Sequence, residues 1–161
     1  MSTTSRVSTC LWFNGRAEEA ARLYVSLLPN SRITTITRHP AGALMPEGAE
    51  MTVELELDGV PFILLNGGPM FPQSESASIS VLCDTQAEID RLWGALTANG
   101  GKESQCGWLK DPYGVSWQIV PAQMSAWMRE PQMQARVMAA FMPMRKLDLA
   151  TLEAAAAGVK P

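Results

Sequence analysis

Histidine is almost absent: His39 is the single one in 161 residues. Cysteine is scarce, at three. Cys10, Cys83 and Cys106 are odd in number and form no CxxC pair. That argues against a disulfide frame or a cysteine zinc site and for reduced thiols in a cytoplasmic protein. No apolar run approaches the ~20 residues of a membrane span. The first residues, MSTTSRVSTCLWF, hold one Arg and a broken apolar run, so no signal peptide is expected. A basic surplus is also missing. The net charge of −3 argues against a nucleic-acid or anionic-membrane partner. What is present is 47% hydrophobic and 18% charged, which fits one globular domain with a core that needs no staples.

The strongest local signal is QCGWLKDPYGVSWQIVP, residues 105–121. Two short apolar runs flank Asp111-Pro112-Tyr113-Gly114. Asp-Pro starts a turn because Pro presets φ, and Gly closes it because Gly tolerates positive φ. A shorter version is LDGVPFILLN, residues 57–66, where Asp58-Gly59 is the tight hairpin turn. Gly59-Val60-Pro61-Phe62 matches Gly114-Val115-Ser116-Trp117, 55 residues further on.

The rest of the chain fits round these hairpins. Residues 6–13 read as a first strand, closed by Asn14-Gly15, with Asn14 able to cap a helix over 16–28. Ala17, Ala20, Ala21, Leu23, Tyr24, Leu27 and Leu28 give that helix its apolar stripe, and Pro29 ends it. Strands are expected over 32–38, 51–57 and 60–66, with a loop over 40–48. After the linker 67–75 the pattern restarts. A strand over 78–83 precedes the capping box Thr85-Gln86-Ala87-Glu88 and a helix to about Asn99. Strands follow near 102–105, 107–110 and 115–120. β-α-β-β-β thus occurs twice, at 6–70 and 71–121, which suggests two modules side by side in one domain. The tail, 122–161, reads as short helices broken by Pro131 and Pro143. It is expected to pack on the sheet or on a partner subunit.

These features resemble the vicinal oxygen chelate superfamily, which includes glyoxalase I, bleomycin-resistance proteins and extradiol dioxygenases. WFNGRAEEAARLY (12–24), LDGVPFILLNGGP (57–69) and the 105–121 stretch look like its PhnB-like branch, often labelled demethylubiquinone methyltransferase-like. The resemblance implies an α+β, glyoxalase-like fold. Two βαβββ modules would form a curved, mostly antiparallel eight-stranded sheet, with a pocket on one side and helices on the other. It also implies a homodimer.

Catalytically active relatives bind a divalent metal through four side chains, usually His and Glu. Carried onto this chain, those positions are about Thr9, Ile63, Ser78 and Gln118. None is His, Asp or Glu, and such a set cannot compete with water for Zn²⁺, Fe²⁺ or Mn²⁺. No metal or other cofactor is therefore expected, and His39, before Pro40, reads as a solvated loop residue. The methyltransferase label is not matched by a strand–GxGxG–helix unit: Asn14-Gly15 is a turn and Gly67-Gly68-Pro69 enters a linker.

Strand alternation from Gln118 sends Ser116 and Gln118 into the pocket and Val115, Trp117 and Ile119 to the helix. The same rule puts Ile63 and Leu65 in the pocket, and Trp108 is a further candidate for its wall. Cys106 is a candidate nucleophile because Lys110 is close in sequence and could lower its pKa, but no His is placed as its base. Glu54 is a candidate general base. Two readings follow. One is a metal-free module binding a small, largely apolar or aromatic molecule. The other is an enzyme of the glyoxalase, dioxygenase or methyltransferase type acting on a small organic substrate.

Overall fold

The computed structural model describes residues 5–159. The chain forms two compact units, Met1–Gln73 and Ser74–Pro161. The first holds β1 (Thr9–Phe13), α1 (Ala17–Leu27), β2 (Arg32–Arg38), β3 (Glu50–Leu57) and β4 (Val60–Asn66). Its strand order is β1-β4-β3-β2, with β1 parallel to β4 and the other pairs antiparallel. The second holds β5 (Ser78–Cys83), α2 (Gln86–Thr97), β6 (Lys102–Glu103), β7 (Trp108–Lys110) and β8 (Ser116–Pro121). Its order, β5-β8-β7-β6, repeats the first, again with one parallel pair. The βαβββ pattern therefore occurs twice in an α+β fold. The eight strands are hydrogen-bonded as two four-stranded sheets, not as one eight-stranded ladder.

The hairpins form for the reasons their sequences give. Asp58 (φ 45°) and Gly59 (φ 77°) both take positive φ, the two-residue turn that matches strand twist, and Leu57 pairs with Val60. In the second hairpin Gly114 N–H donates to the Asp111 carbonyl at 3.0 Å. Each sheet has one covered face. Val53, Leu55, Leu57, Phe62 and Leu64 lie under α1, which buries Ala17, Ala20, Ala21 and Tyr24. Leu109, Trp117 and Ile119 lie under α2, which buries Ile89, Leu92, Trp93 and Leu96.

The helix starts differ from one another. Thr85 caps α2, its hydroxyl accepting from Glu88 N–H at 3.2 Å, and Glu88 reaches back to the amide of Asp84. Asn14 does not cap α1. The cap residue is Arg16, in a left-handed conformation. The first amides of α1 instead donate to distant side chains: Ala17 N–H to Asn66 Oδ1 and Glu18 N–H to Glu50 Oε2. Those partners come from strands far along the chain, which a local pattern cannot show.

The tail forms α3 (Met124–Trp127), α4 (Pro131–Phe141) and α5 (Leu149–Ala157). It is fastened to its own unit. The carbonyls of Met144 and Arg145 accept from Cys106 and Gly107 N–H, each at 2.7 Å. Gln86 on α2 grips the approach to α5 twice: its Nε2 donates to Leu147 O at 3.2 Å, and its Oε1 accepts from Leu149 N–H at 2.7 Å. Leu147 is buried beside Gly107, where a Cβ would come within 3.0 Å of its side chain. Arg136 on α4 donates to the carbonyls of Ala155 and Ala156, closing the C-terminal end of α5. Among the described residues no helix is long and apolar enough to cross a membrane.

Candidate ligand cleft

The β7–β8 turn is built on Asp111, which is 3% exposed. Its Oδ1 accepts from Tyr113 N–H at 2.8 Å and Val115 N–H at 3.0 Å. Its Oδ2 accepts from Trp117 Nε1–H at 2.9 Å. One buried carboxylate thus fixes the turn and pins the Trp117 indole on the α2 side. Charge-assisted bonds of this kind are stronger than neutral ones. The sequence marks Asp111 as a turn former only; its bond to Trp117 depends on strand alternation bringing the indole back under the turn.

The opposite face of this sheet carries Ser78, Trp108, Lys110, Ser116 and Gln118. The ladder pairs Ser116 with Ser78 and with Lys110, and Gln118 with Trp108. Gln118 Nε2 donates to Ser78 Oγ at 2.8 Å, so two of the expected pocket residues bind each other. Beside them lies a cleft of about 310 Å³, lined by Trp108, Lys110, Ser116, Gln105, Cys106 and Glu75 among others. Ser116 is 2% exposed, and its hydroxyl has no hydrogen-bond partner among the described residues. Lys110 Nζ lies 2.8 Å from Glu75 Oε1. The Lys110 ammonium holds the Glu75 carboxyl below the usual carboxylate range.

Cys106 lines the cleft at a left-handed turn, φ 58°. Its thiol donates to the Met142 carbonyl at 3.5 Å and lies 3.9 Å from Met142 Sδ. Lys110 lines the same cleft, but its ammonium is engaged by Glu75. His39 belongs to the first unit, where its backbone closes the 40–48 loop through Ala49 and Gly48. Cys83, by contrast, is buried and inert by environment: burial pushes its thiol up to about 12, and the charge of Glu88 adds to the shift.

The remaining expected site residues lie in the first unit. Ile63 and Leu65 share the face of β4 that α1 does not cover, and Glu54 stands opposite Ile63, exposed. Thr9 does not join them. It pairs with Phe62 on the α1 side, and Cys10 pairs with Ile63 instead. The first strand's phase is set by its parallel pairing with β4, which a local motif does not show. Trp12, opposite Leu65, is strapped down by the segment after β4. Its Nε1–H donates to Gly68 O at 2.8 Å, its ring meets Phe71 edge-on at 4.9 Å, and its carbonyl accepts from the Gln73 amide. A second cleft, about 400 Å³, lies by Asn14, Glu50 and Asn66. Its main polar groups are the ones already engaged by the α1 amides. At the place matching Ser116, the first hairpin has Pro61, opposite Glu56.

Residues 5–120 match the family model of 3-demethylubiquinone-9 3-methyltransferase. The chain belongs to that family. It is a PhnB-like member of the vicinal oxygen chelate superfamily. A PhnB protein of Bacillus cereus is 32% identical to it, over 73% of this chain and 100% of that one, with a TM-score of 0.68. Protein PA1353 of Pseudomonas aeruginosa is 22% identical over 73% of this chain and 98% of that one, TM-score 0.59. The fosfomycin resistance protein FosX of Listeria monocytogenes is 11% identical over 81% of this chain and 100% of that one, TM-score 0.55. These last two likenesses concern the fold. No protein of curated function matches the chain.

Membership in the superfamily raises the question of a metal, and the residues present do not fit one. At or beside the implied positions stand Thr9, Cys10 and Ile63 in the first unit and Ser78 and Gln118 in the second, none of them His, Asp or Glu. The last two bind each other within the second unit, and Ile63 offers no donor. Among the described residues no group of three or more His, Cys, Asp or Glu could hold a metal ion.

Proposed function

We propose that this PhnB-like protein is a metal-independent binding module for a small, largely apolar or aromatic molecule, with the second unit's cleft as its site. The observation that carries this reading is the Ser116 hydroxyl, buried and without a partner among the described residues, at a cleft that also presents Trp108. Leaving a polar group buried without a partner costs about 1–3 kcal/mol. A cleft of this size with an aromatic wall and one or two convergent polar groups is the usual form of a small-molecule site. Gln118, held by Ser78, stands on the same sheet face beside the cleft, opposite Trp108, and is not among the residues that line it. The enzyme reading has less support. Its best nucleophile, Cys106, directs its thiol at Met142, and the family's methyl-transfer name is not matched by a doubly wound sheet.

The test is a titration of chelator-treated protein with 8-anilinonaphthalene-1-sulfonate, followed by tryptophan fluorescence. Saturable binding is expected without metal, weakened about tenfold, or 1.4 kcal/mol, by Trp108→Ala. Binding that appears only when a divalent metal is added would overturn the reading. We also propose that the protein is a homodimer. Exposed Met138 and Met142 on and after α4 support this, since a partner would cover them.

A further inference from the structure

Lys110 and Ser116 are direct partners across the β7–β8 ladder. Such partners share a face, with Cβ atoms about 4.5–5.5 Å apart. Trp108, two residues before Lys110, shares that face, and all three line the cleft. An ammonium, a hydroxyl and an indole therefore stand together on one wall.

The ammonium is already occupied. Glu75 reaches it from the irregular segment before β5, and its side chain is 67% exposed, against 32% for Lys110. An ion pair that open to solvent is held weakly, so another carboxylate can replace it at little cost. The hydroxyl beside it is in the opposite condition, buried and without a hydrogen-bond partner among the described residues. Glu75 serves the ammonium and leaves the hydroxyl unserved. A ligand carboxylate has two oxygens and can serve both, one on the Lys110 ammonium and one accepting from Ser116 Oγ–H.

The geometry points to a small organic acid with an apolar or aromatic body as the ligand, its carboxylate replacing Glu75 on Lys110 and its ring lying along Trp108. This deepens the binding-module reading and rests on it. Glu75 acts as an internal stand-in for the ligand's carboxylate. It keeps the Lys110 charge paired while the cleft is empty and competes with every acid that enters. An uncharged analogue neither gains Lys110 nor displaces Glu75, so it binds by its body and by Ser116 alone.

The experiment compares 2-naphthoate with 2-naphthamide on the full chain, by tryptophan fluorescence and calorimetry. The acid should bind about tenfold tighter than the amide. Glu75→Gln, a change at an exposed side chain, should tighten the acid about threefold or more relative to the amide. Lys110→Met should remove the acid's advantage, and Ser116→Ala should weaken both probes. Equal binding of acid and amide, untouched by Glu75→Gln, overturns the carboxylate assignment and leaves the binding module standing. Failure of both probes and of 8-anilinonaphthalene-1-sulfonate to bind overturns both.

Discussion

At the scale of the residue, Trp117 and Gln118 are neighbours with opposite duties. Trp117 is 1% exposed, under α2, and its indole N–H is held by Asp111. Trp117→Ala removes a large buried ring and should cost about 3–5 kcal/mol. Gln118 is half-buried on the other face and holds only Ser78 among the bonds of its amide described above. Gln118→Ala should cost about 1 kcal/mol or less, the net worth of one ordinary hydrogen bond. Denaturant melts of the two variants check the pair; a stable Trp117→Ala beside an unfolded Gln118→Ala would show the strand turned the other way. This alternation was legible in the sequence because the Asp-Pro-Tyr-Gly turn pins the phase of β8 locally. The phase of β1 was not legible. Thr9 and Cys10 differ only in which lies opposite Phe62, and that is decided by a strand fifty residues away. The pairing of Lys110 with Glu75 was hidden for a related reason: it joins a strand to a linker that has no pattern of its own.

At the scale of the element, the approach to α5 is held by one side chain. Gln86 offers its amide N–H to Leu147 and its amide oxygen to Leu149, and Lys146 meets Asp90 one turn further along α2 at 2.6 Å. The surface ion pair adds little by itself. The Gln86 bonds matter more, because a lost partner leaves backbone groups half-buried and unpaired. Gln86→Ala should cost about 1–3 kcal/mol and speed hydrogen exchange over residues 144–149 more than over β8. Uniform exchange across the unit would show that the tail is held elsewhere. The sequence shows the tail as short helices broken at Pro131 and Pro143; in the structure Pro131 opens α4 and Gly158, at φ 74°, closes α5. It does not give their docking, since Gln86 reads there only as part of a capping box.

At the scale of the whole molecule, the docked tail changes how the proposed dimer must be tested. Cutting the chain after Pro121 would strip Leu147 from the Gly107 turn and weaken the unit itself. Point changes are cleaner. Met138→Glu with Met142→Glu places two charges on exposed positions and should leave the melting behaviour of the unit nearly unchanged while shifting sedimentation from dimer to monomer. Wild-type protein that sediments as a monomer at high concentration would remove the proposal.

The two hairpins also differ at one matched place, Pro61 opposite Glu56 in the first and Ser116 opposite Lys110 in the second. Proline brings neither a hydroxyl nor an amide hydrogen to that spot. For a lineage that arose by doubling one ancestral segment, this separates the fates of the copies. Selection on the first would act through architecture alone, and substitutions at positions 54, 56 and 61 would drift within whatever the sheet tolerates. Selection on the second would act through the ligand proposed for its cleft, so positions 108, 110 and 116 would change together when that ligand changes.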